Sequence, residues 1–145
     1  MKPIKKHLLI IISVISLLIG FLIYIAYRSE TLLMFHWFRD LSIHHSILKI
    51  RDTINITIPN WAIFSLPYAF WNFSLGTSLI AIWYEKMDNL IKIGIVSLVL
   101  LSGVVIELLQ GINLIRGTFD IIDFILLNIS AIIVILLIFI DSPKH

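Results

Sequence analysis

Twenty consecutive residues, Leu8 to Tyr27, carry no charge. A helix of about 20 mostly apolar residues crosses roughly 30 Å of hydrocarbon, so this run alone points to lipid as the solvent. Three further stretches have the same character. No charge occurs between Asp52 and Glu85, where 61–84 is the apolar part. Ile93 to Ile115 carries one charge, Glu107, and 120–140 is apolar after its first turn. Strict alternation of polar and apolar residues is missing, which argues against membrane-spanning strands. The expected fold is all-α. It is a polytopic membrane protein, a bundle of four transmembrane helices at 8–27, 61–84, 93–115 and 120–140, in a single domain over 1–145.

Composition agrees with a lipid solvent. The chain is 59% hydrophobic and 14% charged, whereas a soluble domain is roughly 45–50% apolar and about 25% charged. A globular core of this length does not bury so much apolar surface. The formal net charge of +2 and the lack of a basic stripe give no footprint for nucleic acid. There is no cysteine, which excludes disulfides, thiolate metal sites and cysteine nucleophiles. Lys2, Lys5 and Lys6 precede the first run as they would in a signal peptide. That run is longer than a typical signal core, and no small-x-small site precedes Arg28, so a retained helix is expected.

Lys and Arg set the expected topology. With the N-terminus in the cytosol, Lys2, Lys5, Lys6, Lys86, Lys92 and Lys144 lie inside. Arg28, Arg39, Lys49, Arg51 and Arg116 lie outside. The two sets nearly balance, and the three lysines before the first helix decide for N-in. Four spans then put both termini in the cytoplasm. The Glu107 to Asp120 region faces outward with the 28–58 connection. That connection contains "TLLMFHWFRDLSIHHSILKI", which suits an interfacial helix between helices 1 and 2 with Trp37 at headgroup depth.

Within the spans, Pro67 removes one backbone donor and favours a kink. Asn72, Ser74, Thr77 and Ser78 are placed to bond across to other helices, and Gly94, Ser97, Ser102 and Gly103 to allow close approach. The other polar residues gather at one place. Glu107 and Gln110 are three apart, on one face near the end of helix three. Asp120 and Asp123 are three apart in the first turn of helix four, and Arg116 lies between the two pairs. The short connection makes the two helices antiparallel neighbours, so one pocket can hold all five.

Part of this cluster has a structural explanation. Thr118 or Asp120 can cap helix four, and an acid there faces the positive end of the macrodipole. Arg116 can neutralise an acid or meet lipid phosphate. Glu107 and Asp123 fit this account less well, because ionisable residues inside a membrane are rare and usually face the bundle interior. Asn128 is five residues beyond Asp123, about 140° around the helix, and is expected in a helix–helix bond rather than the pocket.

Other chemistry is thinner. His44 and His45 are adjacent, a poor arrangement for joint chelation, and His7 and His36 stand alone. Trp61, Tyr68, Trp71 and Trp83 suit a belt or packing. No phosphate loop, nucleotide fingerprint or zinc motif is present, and Ser65 has no histidine nearby in sequence. No metal or cofactor is expected.

The segment "IELLQGINLIRGTFDIIDFILLN" resembles the C-terminal motif of the VanZ-like family of small bacterial membrane proteins. That motif is a Glu, a Gln three later, a short loop with Arg or Gly-Thr-Phe-Asp, and an Asp three beyond. It falls on Glu107, Gln110, Arg116, Asp120 and Asp123. "SLPYAFWNFS" is similar to a Leu-Pro-x-x-Leu-Trp stretch in one branch, with Tyr68 where that branch often carries an acid. The resemblance covers roughly 58–130. It implies a multi-helix envelope protein, and the founding member is linked to resistance to the glycopeptide teicoplanin.

Three functions stay open on the sequence. One is an envelope protein whose outward-facing pocket of Glu107, Gln110, Asp120 and Asp123 binds a lipid-linked or peptide ligand, with a cation favoured over a phosphate. A second is an intramembrane enzyme with Glu107 or Asp123 as general base on a lipid-linked substrate. A third is a structural subunit whose acids pair with another chain.

Overall fold

The computed structural model describes residues 6–115 and 119–140, and every regular element among them is helical. The order is α1 (Lys6–Tyr27), α2 (Leu33–Asp40), α3 (His44–Asp52), α4 (Asn60–Ile82), α5 (Asn89–Val99), α6 (Ile106–Gly111) and α7 (Ile121–Ile140). A π-helical segment, Leu100–Val105, joins α5 to α6, so that Asn89–Gly111 is one continuous helix. Three helices are long and apolar enough to cross a membrane: Lys6–Tyr27, Asn89–Gly111 and Ile121–Phe139. Their outer faces carry exposed Leu8, Ile11, Leu18, Leu22, Leu98, Leu101, Ile125, Ile132 and Phe139. Helices apolar on all sides are the mark of a membrane span or a large core.

The 23-residue α4 is not one of those three. It is the central helix, packed most extensively on α1 and α7. Its polar side chains face its neighbours, and Ser65, Asn72, Ser74 and Thr77 are buried. Ser13 Oγ on α1 donates to the Ser74 carbonyl at 3.0 Å, and Ser74 Oγ donates back to the Ser13 carbonyl at 2.9 Å. Ser78 also bonds to Ser13. Thr77 donates to the Phe73 carbonyl of its own helix at 2.9 Å. These groups lower the apolarity of α4 while leaving little of their polarity on its outer face.

Contacts at the two ends fix an antiparallel arrangement. Lys6 Nζ lies 3.4 Å from Glu85 Oε1, joining the start of α1 to the turn after α4. At the opposite end the Tyr27 hydroxyl donates to the Ile56 carbonyl at 2.9 Å, just before α4. The apolar core, with Leu9, Ile80, Val99, Val134 and Ile138, occupies the Lys6 half. Small residues bring the helices close. A Cβ on Gly76 would lie 2.5 Å from Val134 Cγ2, and one on Gly20 would lie 2.6 Å from Trp71 Nε1. Gly103 is likewise crowded, by Leu127 and Asn72. Gly94, expected at a helix contact, faces open space instead.

Two boundaries differ from expectation, for the same reason. The 30–52 segment forms two short helices rather than one, because Ser42 adopts φ 60°. There the Ser42 N–H donates to the Arg39 carbonyl and the Ile43 N–H to the Phe38 carbonyl, both at 3.0 Å, the pair of bonds that ends a helix in a left-handed residue. The same pair recurs at Asn113, φ 57°, with Asn113 N–H on Gln110 and Leu114 N–H on Leu109, each 2.9 Å. The third long helix therefore ends at Gly111, not 115. α2 and α3 fold over the end of α1 through Phe35, Phe38, Ile47 and Ile25, and leave Leu33, Trp37 and Leu41 exposed.

Candidate functional site

Where the apolar core gives out, at the Arg28 end of the bundle, lies a cavity of about 610 Å³. Glu107, Gln110, Asp120 and Asp123 all line it. The other walls come from Arg28 after α1, Phe64, Tyr68, Trp71 and Asn72 on α4, and Ser102 and Gly103 in the π-helical turn.

Each acid arrives by a different local device. Glu107 sits just after the π-helical turn, and Gly103, Val104 and Glu107 are all buried. Such wide turns recur at functional sites. Asp120 caps α7, its Oδ1 accepting the Ile122 N–H at 2.8 Å. In a capping box, the acid three residues after the cap would accept the cap's own N–H. Here that acid is Asp123, yet the Asp120 N–H goes to Glu107 Oε2 at 3.3 Å. Glu107 has taken the place of Asp123 from another helix. Asp123 Oδ1 is left buried with no hydrogen-bond partner among the described residues.

The floor of the cavity is a satisfied network. Ser102 Oγ donates to Asn72 Oδ1 at 2.8 Å, Asn72 Nδ2 donates to Ser130 Oγ at 3.0 Å, and Ser130 donates to the Leu127 carbonyl at 2.8 Å. Three helices are thereby tied together below the acids. A Cβ on Gly103 would lie 2.8 Å from Leu127 Cδ2 and 3.2 Å from Asn72 Nδ2, so the bare backbone leaves room for this network.

Arg28 brings the opposite charge. Its guanidinium lies 4.7 Å from the centre of the Phe64 ring and 5.6 Å from that of Tyr24. Tyr24 and Tyr68 in turn pack on Trp71, at 5.4 and 5.9 Å between ring centres. The ion pairs among the described residues are Lys6–Glu85, His44–Glu30 and Arg51–Glu30, and Arg28 is in none of them.

Four of the five residues expected in one pocket are therefore together, and Arg116 lies outside the described residues. Asn128 is out of the cavity, but its amide donates to the Phe124 carbonyl of its own helix at 2.7 Å rather than across to another. Arg28 entered the sequence argument only as a topology charge. Its one signal there is position, immediately after an apolar run rich in aromatics. Among the described residues no three His, Asp or Glu side chains group as a metal site. His44 instead pairs with Glu30 at 3.6 Å, and His36 Nδ1 lies 2.7 Å from Arg39 Nη2. Compared with family models, curated proteins and solved structures, the chain matches none.

Proposed function

We propose that this chain is a multi-pass protein of the bacterial cell membrane whose cavity binds the cationic group of an envelope ligand. The observation that carries the proposal is Asp123, which shares the cavity wall with Glu107 and Asp120 and has a buried carboxylate oxygen without a hydrogen-bond partner among the described residues. A carboxylate in that condition is unfavourable in low-dielectric surroundings, and an entering cation relieves it. The cavity volume also lies within the roughly 300–1,000 Å³ usual for small-molecule sites.

The proposed topology has four crossings, α4 being the fourth, with both termini cytoplasmic and the cavity outward. At 1.5 Å per residue α4 is roughly 35 Å long, enough to span. Its inward-facing polar bonds account for its lower apolarity. The exposed edge of Leu33, Trp37 and Leu41 supports an interfacial place for α2. The resemblance to VanZ-like proteins favours an envelope setting and extends the proposal to a role in susceptibility to teicoplanin-type glycopeptides.

Purified protein in a neutral detergent, titrated with decylamine and with decanoate, tests the binding. Trp71 lines the cavity, so intrinsic fluorescence reports occupancy. Decylamine is expected to saturate, and decanoate not. Asp123→Asn should weaken decylamine binding about tenfold or more, the loss of one charge-assisted hydrogen bond. Equal responses to both amphiphiles, or an unchanged response in the variant, would defeat the proposal.

A further inference from the structure

Two groups of opposite sign, each unmatched among the described residues, border the same cavity. Arg28 stacks on Phe64 and Tyr24 and joins no ion pair among the described residues. Asp123 Oδ1 is buried and has no hydrogen-bond partner among them. Each would neutralise the other if they touched, yet the bundle holds them apart on separate walls, Arg28 after α1 and Asp123 in the first turn of α7. A simple cation would satisfy the acids and leave the guanidinium unmet. A simple anion would meet Arg28 but face three carboxyl groups. A molecule carrying both charges a few bonds apart satisfies both walls.

The border of the cavity narrows the source of such a molecule. Leu75 on α4 and Ile106 on α6 line the cavity and are also exposed, at 38% and 41%, on the outside of the bundle. Both lie within the lengths of helices whose outer faces are apolar. Exposed apolar side chains of α4 and α6 thus border the cavity, as do the exposed Phe64 and Tyr68. Polar walls inside with exposed apolar residues at the border fit a headgroup whose chains stay in the bilayer.

We infer that the cavity holds the zwitterionic headgroup of an aminophospholipid, with the primary ammonium on Asp123 and Glu107 and the phosphodiester on Arg28. This rests on the cation-binding function proposed above and adds the second charge and the lipid source. Arg28 presents several planar N–H donors suited to phosphate oxygens. A primary ammonium presents three donors to carboxylates, whereas a quaternary one presents none.

The test uses the whole chain in neutral detergent with water-soluble short-chain lipids, read by tryptophan fluorescence and native mass spectrometry. The probes are dihexanoyl phosphatidylethanolamine, phosphatidylcholine and phosphatidylglycerol, with decylamine and free phosphoethanolamine. The ethanolamine lipid is expected to bind about tenfold or more tighter than each of the others, the contribution of one charged hydrogen-bonding partner. Arg28→Gln should bring the ethanolamine lipid down to the affinity of decylamine, while decylamine itself, relieved of a like charge in the same cavity, binds at least as tightly as to the wild type. Arg28→Lys should recover part of the loss, which a folding defect would not. Should decylamine bind the wild type while Arg28→Gln keeps full affinity for the ethanolamine lipid, the zwitterion is overturned and the cation site stands. Equal binding of the choline lipid overturns the primary ammonium. Binding of free phosphoethanolamine as tight as that of the lipid overturns the lipid source. If neither decylamine nor the ethanolamine lipid binds, the cation site fails and the zwitterion with it.

Discussion

Glu107 completes the first turn of a helix it does not belong to, its Oε2 accepting the Asp120 N–H at 3.3 Å. One carboxylate thus joins the third long helix to α7 and leaves the acid normally used for that bond, Asp123, free to face the cavity. Fold and site share an atom here, and the two roles separate by substitution.

Glu107→Leu removes an acceptor from a helix start and should lower stability by about 1–3 kcal/mol, the range for an abandoned buried donor. Glu107→Gln keeps an oxygen at the same reach and should lose less than about 1 kcal/mol. Unfolding in a fixed detergent, followed by circular dichroism, compares the two. Equal losses would mean that the Asp120 N–H does not depend on Glu107.

Asp123→Asn should behave the other way. Its buried oxygen makes no hydrogen bond among the described residues, so replacing the charge should leave stability unchanged or raise it by up to about 1 kcal/mol. Binding of decylamine should nevertheless fall. A variant that is both less stable and binds normally would assign Asp123 to folding.

Close packing of α4 on α7 predicts a contrast between two glycines. Gly76→Ala drives a methyl into Val134, a β-branched side chain with little rotamer freedom, and should cost about 1–3 kcal/mol. Gly94→Ala meets nothing within 4 Å and should be neutral or stabilising by up to about 1 kcal/mol through helix propensity. Thermal unfolding of the two single variants measures the difference.

The antiparallel arrangement has its own check. Reporters fused after residues 50 and 115 should report the outer side, and one fused after residue 87 the cytoplasm. Cytoplasmic signal at 50 or 115 would reverse the proposed orientation.

Much of this was legible from residue order. The apolar runs mark the long helices, since runs of about twenty uncharged residues have few other uses. The Glu107–Gln110 and Asp120–Asp123 spacings placed four side chains together because a short turn leaves antiparallel helices little choice of neighbour. What stayed hidden depends on tertiary context. Ser42 and Asn113 end helices by adopting positive φ, which a serine does not announce; an asparagine tolerates it, but Asn113 stood inside an apolar run that reads as continuous. Arg28 lies 79 residues before Glu107, and only the packing of α1 on α4 brings it to the acids. The side chain left unpaired at Asp123 became visible only once the Asp120 N–H was seen to be taken by Glu107.

The π-helical turn at Leu100–Val105 makes the aim of Glu107 a matter of counting. Each residue of an ordinary helix advances the direction of its side chain by about 100°. The wide turn stores one such step. Deleting a single residue there would remove the surplus step and close the turn to regular winding, with the apolar contacts upstream and the direction of the carboxylate both kept. Winding the same six residues regularly, with none removed, would instead carry the carboxylate at 107 about 100° around the helix, from the cavity wall toward a neighbouring helix or the bilayer. A chain of this kind can therefore lose its acid from the cavity when the wide turn tightens, with no substitution at the acid itself.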